Sequence, residues 1–181
     1  GARRASMLAA CAGSVAAIAA AWPVLMSGVP WVVHVPGLLA PLGGLSLSLD
    51  RLGAFFLALI GFTGAPAALY GLGYVKHLDR SPRGRLMHTS INLFLLGMCL
   101  VPAAHNTITL LFGWELMAVA SYVLVVGDLT QQDGPAAGLW YAVMTHAGFL
   151  ALLAAFMILA QDGSTEFDAL RQRALAVSPA A

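Results

Sequence analysis

TITLLFGWELMAVASYVLVV, residues 107–126, is a run of twenty residues in which Glu115 is the only charged one. At a rise of about 1.5 Å per residue, a helix of that length is about 30 Å long, the thickness of a bilayer's hydrocarbon core. Glu115 then lies about 2 Å from the midplane by the same rise. An ionisable side chain there costs on the order of 2.5–3.5 kcal/mol on insertion scales. Such a group faces a bundle interior, a partner charge or a water-filled cavity, and by default marks an ion or proton route. The competing reading is a protonated Glu that acts as structural glue, hydrogen-bonded to a neighbouring helix.

The rest of the chain is of the same kind. It is 60% hydrophobic and 9% charged, with a mean hydropathy of +0.83; soluble domains carry about 25% charged residues. A soluble enzyme is excluded. The net charge of +1 points to no particular partner, and nucleic acid is not expected among them. Cys11 and Cys99 lie far apart inside apolar runs, without C-x-x-C or Cys/His spacing. Neither an iron–sulfur cluster nor a zinc site can be built from such a chain, so no metal and no cofactor is expected, and the thiols read as structural.

The expected architecture is all-α: one transmembrane unit, residues 1–181, with about five helices at 5–26, 52–73, 86–103, 107–126 and 136–160. The start at Gly1 rather than Met reads as a fragment or a trimmed chain. Residues 27–50 hold three prolines and two short strand-like runs, WVVHV and LSLSL, which predict an extracytoplasmic hairpin or extended loop against the bundle, with His34 exposed in it. Gly61, Gly64, Ala68 and Gly71 recur at three- and four-residue steps and form one small-residue stripe for close helix contact. Lys76 to Arg85 reads as a basic loop. His88 and Asn92, four apart, share a face of the third helix; Asn92 either hydrogen-bonds another helix or assists proton transfer. His146, near the centre of the fifth helix, is either a satisfied core residue or a relay group that titrates near neutral pH. In the tail, 161–181, Thr165 and Asp168 predict the cap of a short amphipathic helix whose Phe167, Leu170 and Leu175 turn to the membrane surface.

Five spans put the N-terminus with the loops at 74–85 and 127–134. That side holds Arg3, Arg4, Lys76, Arg80, Arg83 and Arg85, against Arg51, Arg171 and Arg173 opposite. The excess assigns the start of the chain to the cytoplasm. The helices of Glu115 and His146, joined by a short loop, should be antiparallel neighbours, with the two side chains within about one turn in depth. Spacing does not decide whether they face each other. If they do, one water could link them.

LFGWELMAVASYVLV, with Trp114-Glu115 and Ser121-Tyr122, resembles the glutamate motif of the antiporter-like membrane subunits shared by respiratory complex I, Mrp-type cation/proton antiporters and membrane-bound hydrogenases. LSLSLDRLGAFF (45–56) and Asn92-Leu93-Phe94 are similar to that family's third and fourth helices. WELM together with YAVMTHAGF (141–149) looks most like hydrogenase-4 component B or formate hydrogenlyase subunit 3. The resemblance implies part of a larger helical bundle, beginning after that family's first helix and ending before a broken helix whose lysine pairs with the glutamate. It implies a proton-translocating subunit in a bacterial or archaeal cytoplasmic membrane, with membrane subunits and peripheral hydrogenase or redox subunits as partners. Glu115 would be the proton or charge site, His146 a relay, and His88 and Asn92 auxiliary polar groups. The alternatives are a complex I or Mrp antiporter subunit, and a structural membrane anchor without transport.

Overall fold

In hydrocarbon a chain must satisfy its backbone within itself, and long apolar runs do so as helices. A computed structural model describes residues 2–35, 44–74, 82–128, 134–160 and 163–177. The order of elements is α1 (Ala2–Ser27), β1 (Trp31–Val35), β2 (Leu45–Leu49), α2 (Arg51–Tyr74), α3 (Pro82–Leu100), α4 (Thr107–Asp128), α5 (Gly134–Leu159) and α6 (Phe167–Val177). The fold is that of an all-α membrane protein with one small hairpin.

Of the five expected spans, α1, α2, α4 and α5 are long and apolar enough to cross a membrane, and α3 is not among them. Its first turns carry Arg83, Arg85 and His88, which lower its hydropathy. The expected bounds of α3 also need correction. Pro82 fits the first turn, so the helix takes in 82–85 of the predicted basic loop, and it ends at Leu100, two residues before Pro102. Lys76 and Arg80 lie outside the described residues.

The largest contact joins α1 and α2. The glycine stripe of α2 faces α1: a Cβ on Gly64 would lie 2.6 Å from Ser14 Oγ, and one on Gly71 would lie 2.9 Å from Met7 Sδ. Only a missing side chain permits that approach, the usual basis of helix contact in lipid. Ala17, Ala21 and Val24 of α1 join Leu49, Ala54, Leu57 and Ala103 in the buried core. Cys11 and Cys99 are both free and part-buried.

β1 and β2 pair antiparallel, from Trp31 opposite Leu49 to Val35 opposite Leu45. β2 is the inner strand, and its Ser46 and Leu49 are buried. Its other edge is covered by the segment before α4: Ser48 N–H donates to Ala103 O at 2.8 Å and His105 N–H to Ser46 O at 2.9 Å. His34 is exposed as expected, yet it stands on a strand, with Nδ1 2.8 Å from Ser46 Oγ.

Asn106 caps α4. Its Oδ1 accepts Thr109 N–H at 2.8 Å and its amide donates to Gly44 O at 3.3 Å, which ties the helix start to the hairpin. The Thr109 hydroxyl accepts Ser46 N–H at 2.9 Å. From the other side, Thr107 N–H donates to Thr165 O at 2.9 Å and Phe167 N–H to His105 O at 3.2 Å. These bonds fasten α6 to the end of α4. Leu170 is therefore buried within the chain and does not turn to the membrane surface, whereas Leu175 is exposed.

Candidate functional site

The face that α4 gives to α3 decides which face is left for Glu115. A Cβ on Gly97 of α3 would lie 2.8 Å from Met117 N and 2.9 Å from Gly113 O, so the two backbones touch at Gly113 and Met117. Glu115 is two residues from each, about 200° round the helix, and points away from α3. It meets α5. Glu115 Oε1 lies 3.2 Å from His146 Nε2. The two side chains face each other in direct contact, with no bridging water required.

Two further contacts hold α4 and α5 in antiparallel register. Ser121 Oγ and Tyr141 Oη are hydrogen-bonded. Nearer the connecting loop, a Cβ on Gly138 would lie 2.6 Å from Val126 Cγ2. Along the seam, then, 126 meets 138, 121 meets 141 and 115 meets 146. The pair lies near the middle of both helices.

The histidine tautomer follows from its other nitrogen. His146 Nδ1 lies 2.9 Å from Ala142 O, and a carbonyl only accepts, so Nδ1 carries a hydrogen. A hydrogen on either Nε2 or Glu115 Oε1 makes the 3.2 Å contact a hydrogen bond. Whether drawn as carboxylic acid with imidazole or as carboxylate with imidazolium, the pair has no net charge, which suits a low-dielectric setting. Gain or loss of one proton charges it.

The coverage of the pair is uneven. The Glu115 side chain is 35% exposed and that of His146 is 51% exposed within this chain. Glu115 Oε2 is buried and has no hydrogen-bond partner among the described residues. The pair has one closed side and one open side.

His88 and Asn92 belong elsewhere. The Asn92 amide donates to Ser6 Oγ at 2.7 Å and to His88 O at 2.9 Å, and Ser6 Oγ donates to His88 O at 3.1 Å. The cluster joins α3 to α1, beside a groove of about 350 Å³ walled by α1 alanines, and Asn92 does not meet Glu115. Among the described residues, no group of three His, Cys, Asp or Glu side chains is placed to hold a metal. The sequence reading gave no role to Tyr141 or to the buried Ser46, Asn106 and Thr109, although Tyr141, Ser46 and Thr109, like Ser121, stood inside stretches it quoted.

This is a multi-pass helical membrane protein with an intramembrane carboxyl–imidazole pair. Residues 104–179 match the model of the NADH:quinone oxidoreductase/Mrp antiporter transmembrane family. An uncharacterized Mycobacterium tuberculosis protein is 46% identical over 78% of this chain and 21% of its own length. A putative antiporter subunit of Staphylococcus saprophyticus is 31% identical over 76% of the chain and 17% of its length. Hydrogenase-4 component B of Escherichia coli is 28% identical over 75% of the chain and 20% of its length. The fold matches a chain of an archaeal respiratory membrane complex, the membrane-bound sulfane sulfur reductase, with a TM-score of 0.79 at 20% identity, covering 98% of this chain and 35% of that one. The stretch 104–179 belongs to that transmembrane family, and the chain spans about a fifth of the length of the curated relatives it matches.

Proposed function

We propose that this chain is part of a proton-translocating membrane subunit in which Glu115 and His146 form one reversible proton site. The contact at 3.2 Å carries the reading. A carboxyl at mid-depth that served only as glue would need a single hydrogen-bond donor. Here its partner is the one side chain whose ordinary titration falls near neutral pH, held in a defined tautomer. The open side of the pair cannot face lipid cheaply, so in the whole protein it faces further helices or a water-filled path. The open side of the pair is where the family's lysine would approach. Its arrival or departure would shift the proton equilibrium of the pair.

Within the family we assign the chain to a hydrogenase-4 or formate hydrogenlyase-like complex, on WELM and the THAGF run that places His146. In this reading residues 1–181 are one unit of a larger bundle, the partners are other membrane subunits and peripheral redox subunits, and the chain starts on the cytoplasmic side. An Mrp-type or complex I subunit is the second reading, favoured by the 31% identity to an antiporter subunit. Neighbouring genes separate the two: hydrogenase large-subunit genes support the first, and an antiporter or quinone oxidoreductase cluster the second.

Glu115→Gln in the full-length subunit tests the site. The variant is expected to assemble and to lose proton uptake in inverted vesicles. Uptake at the unsubstituted level would refute the role.

A further inference from the structure

The proton site leaves unused one polar contact on the same seam. Tyr141 is part-buried on α5, and its hydroxyl meets Ser121 Oγ across the α4–α5 interface. Ser121 donates its single hydrogen back to its own helix, to Met117 O at 2.8 Å and Ala118 O at 3.0 Å. The serine oxygen is left to accept, so the phenol donates. A buried phenol needs such a partner, and α4 offers it here.

The contact bears on His146 through five residues of one helix. Thr145 Oγ1 donates to Tyr141 O at 2.9 Å, and Ala142 O takes His146 Nδ1 at 2.9 Å, so 141–146 forms one hydrogen-bonded stretch. On the α4 side Ser121 lies six residues from Glu115, and on the α5 side Tyr141 lies five from His146, about 8–9 Å in each case. That is too far for a proton to pass directly, and near enough to fix orientation. A helical side-chain tip about 6 Å from the axis moves about 1 Å for each 10° of helix rotation. A change of that size opens a contact of 3.2 Å. Gly138 sets how closely the helices approach but has no directional bond to set their rotation.

We propose that Tyr141 is a positioning residue for the proton site: its hydrogen bond to Ser121 sets the rotation of α5 that brings His146 onto Glu115. The proposal rests on the functional reading above only for its effect on transport; the geometry is independent of it.

The test uses the full-length subunit in its own membrane, with Tyr141→Phe, Ser121→Ala, the double variant, and Glu115→Gln to identify the Glu115 carboxyl band in infrared difference spectra. With the imidazole drawn off, the Glu115 C=O stretch in Tyr141→Phe moves to higher wavenumber. Proton uptake falls about two- to tenfold, the range that one hydrogen bond supports. Ser121→Ala gives the same two changes, and the double variant gives no more than either single one. A merely structural loss would lower the amount of protein without moving the band. An unmoved band in both single variants overturns the proposal, and so do additive effects in the double variant. If Glu115→Gln transports protons normally, the functional reading fails while the band shift still decides the positioning role.

Discussion

At the scale of residues, two hydrogen bonds on one imidazole carry most of the meaning. Nδ1 is committed to the helix backbone, and Nε2 faces a carboxyl. His146→Leu removes both and leaves Glu115 without a partner among the described residues. Proton uptake in vesicles is expected to fall at least tenfold, while the subunit still accumulates in the membrane. Adding Glu115→Gln to His146→Leu should cost little more, because residues that act as a unit are not additive. Additive losses would show that the two work separately. At the start of α4, Asn106 is fully buried and caps the helix while it holds the hairpin. Asn106→Ala is expected to destabilise by about 1–2 kcal/mol. The midpoint of thermal unfolding in detergent should drop accordingly; an unchanged midpoint would deny the cap its role.

At the scale of elements, glycines decide which helices touch. A Cβ at Gly97 would strike the backbone of α4, which cannot swing aside as a side chain can. Gly97→Val is therefore expected to part α3 from α4 at about 1–3 kcal/mol, with a matching loss of assembled protein on native gels. Gly13 of α1 has open space where its Cβ would go, and Gly13→Ala should be neutral or slightly stabilising, since alanine is the better helix former. Equal behaviour of the two variants would contradict the packing described here. The helices themselves were legible in the sequence because backbone satisfaction in hydrocarbon leaves no alternative over about twenty apolar residues. The ends of α3 were less so. There a proline-led first turn carries arginines, and charge suggested a loop where the backbone continues helical.

At the scale of the whole molecule, the hairpin, the 103–106 segment and the start of α6 form a cap over one end of the bundle. His105 is its centre: its amide donates to β2, its carbonyl accepts from α6, and its Nε2 lies 3.5 Å from Glu166 Oε2. The proposed cytoplasmic start of the chain would put this cap on the outer face. A cysteine replacing Val29, which is 67% exposed, should then react with a membrane-impermeant maleimide in intact cells. A cysteine replacing Arg85, exposed near the start of α3, should react only after the membrane is opened, and the reverse pattern would invert the topology.

Residue order by itself determined the class of the protein, four of its expected membrane-spanning helices and the identity of the two titratable groups at mid-depth. Hydrophobic length sets these, and it can be read along one dimension. The motif around Glu115 added the family. Only the tertiary structure decided that Glu115 and His146 touch, that Asn92 turns to α1 instead, and that Leu170 is covered. Each depends on the rotation of a helix about its axis. In these helices apolar side chains surround the whole circumference, so no polar stripe fixes that rotation. Contacts with distant residues do: Gly97 against Gly113 and Met117, and Tyr141 against Ser121.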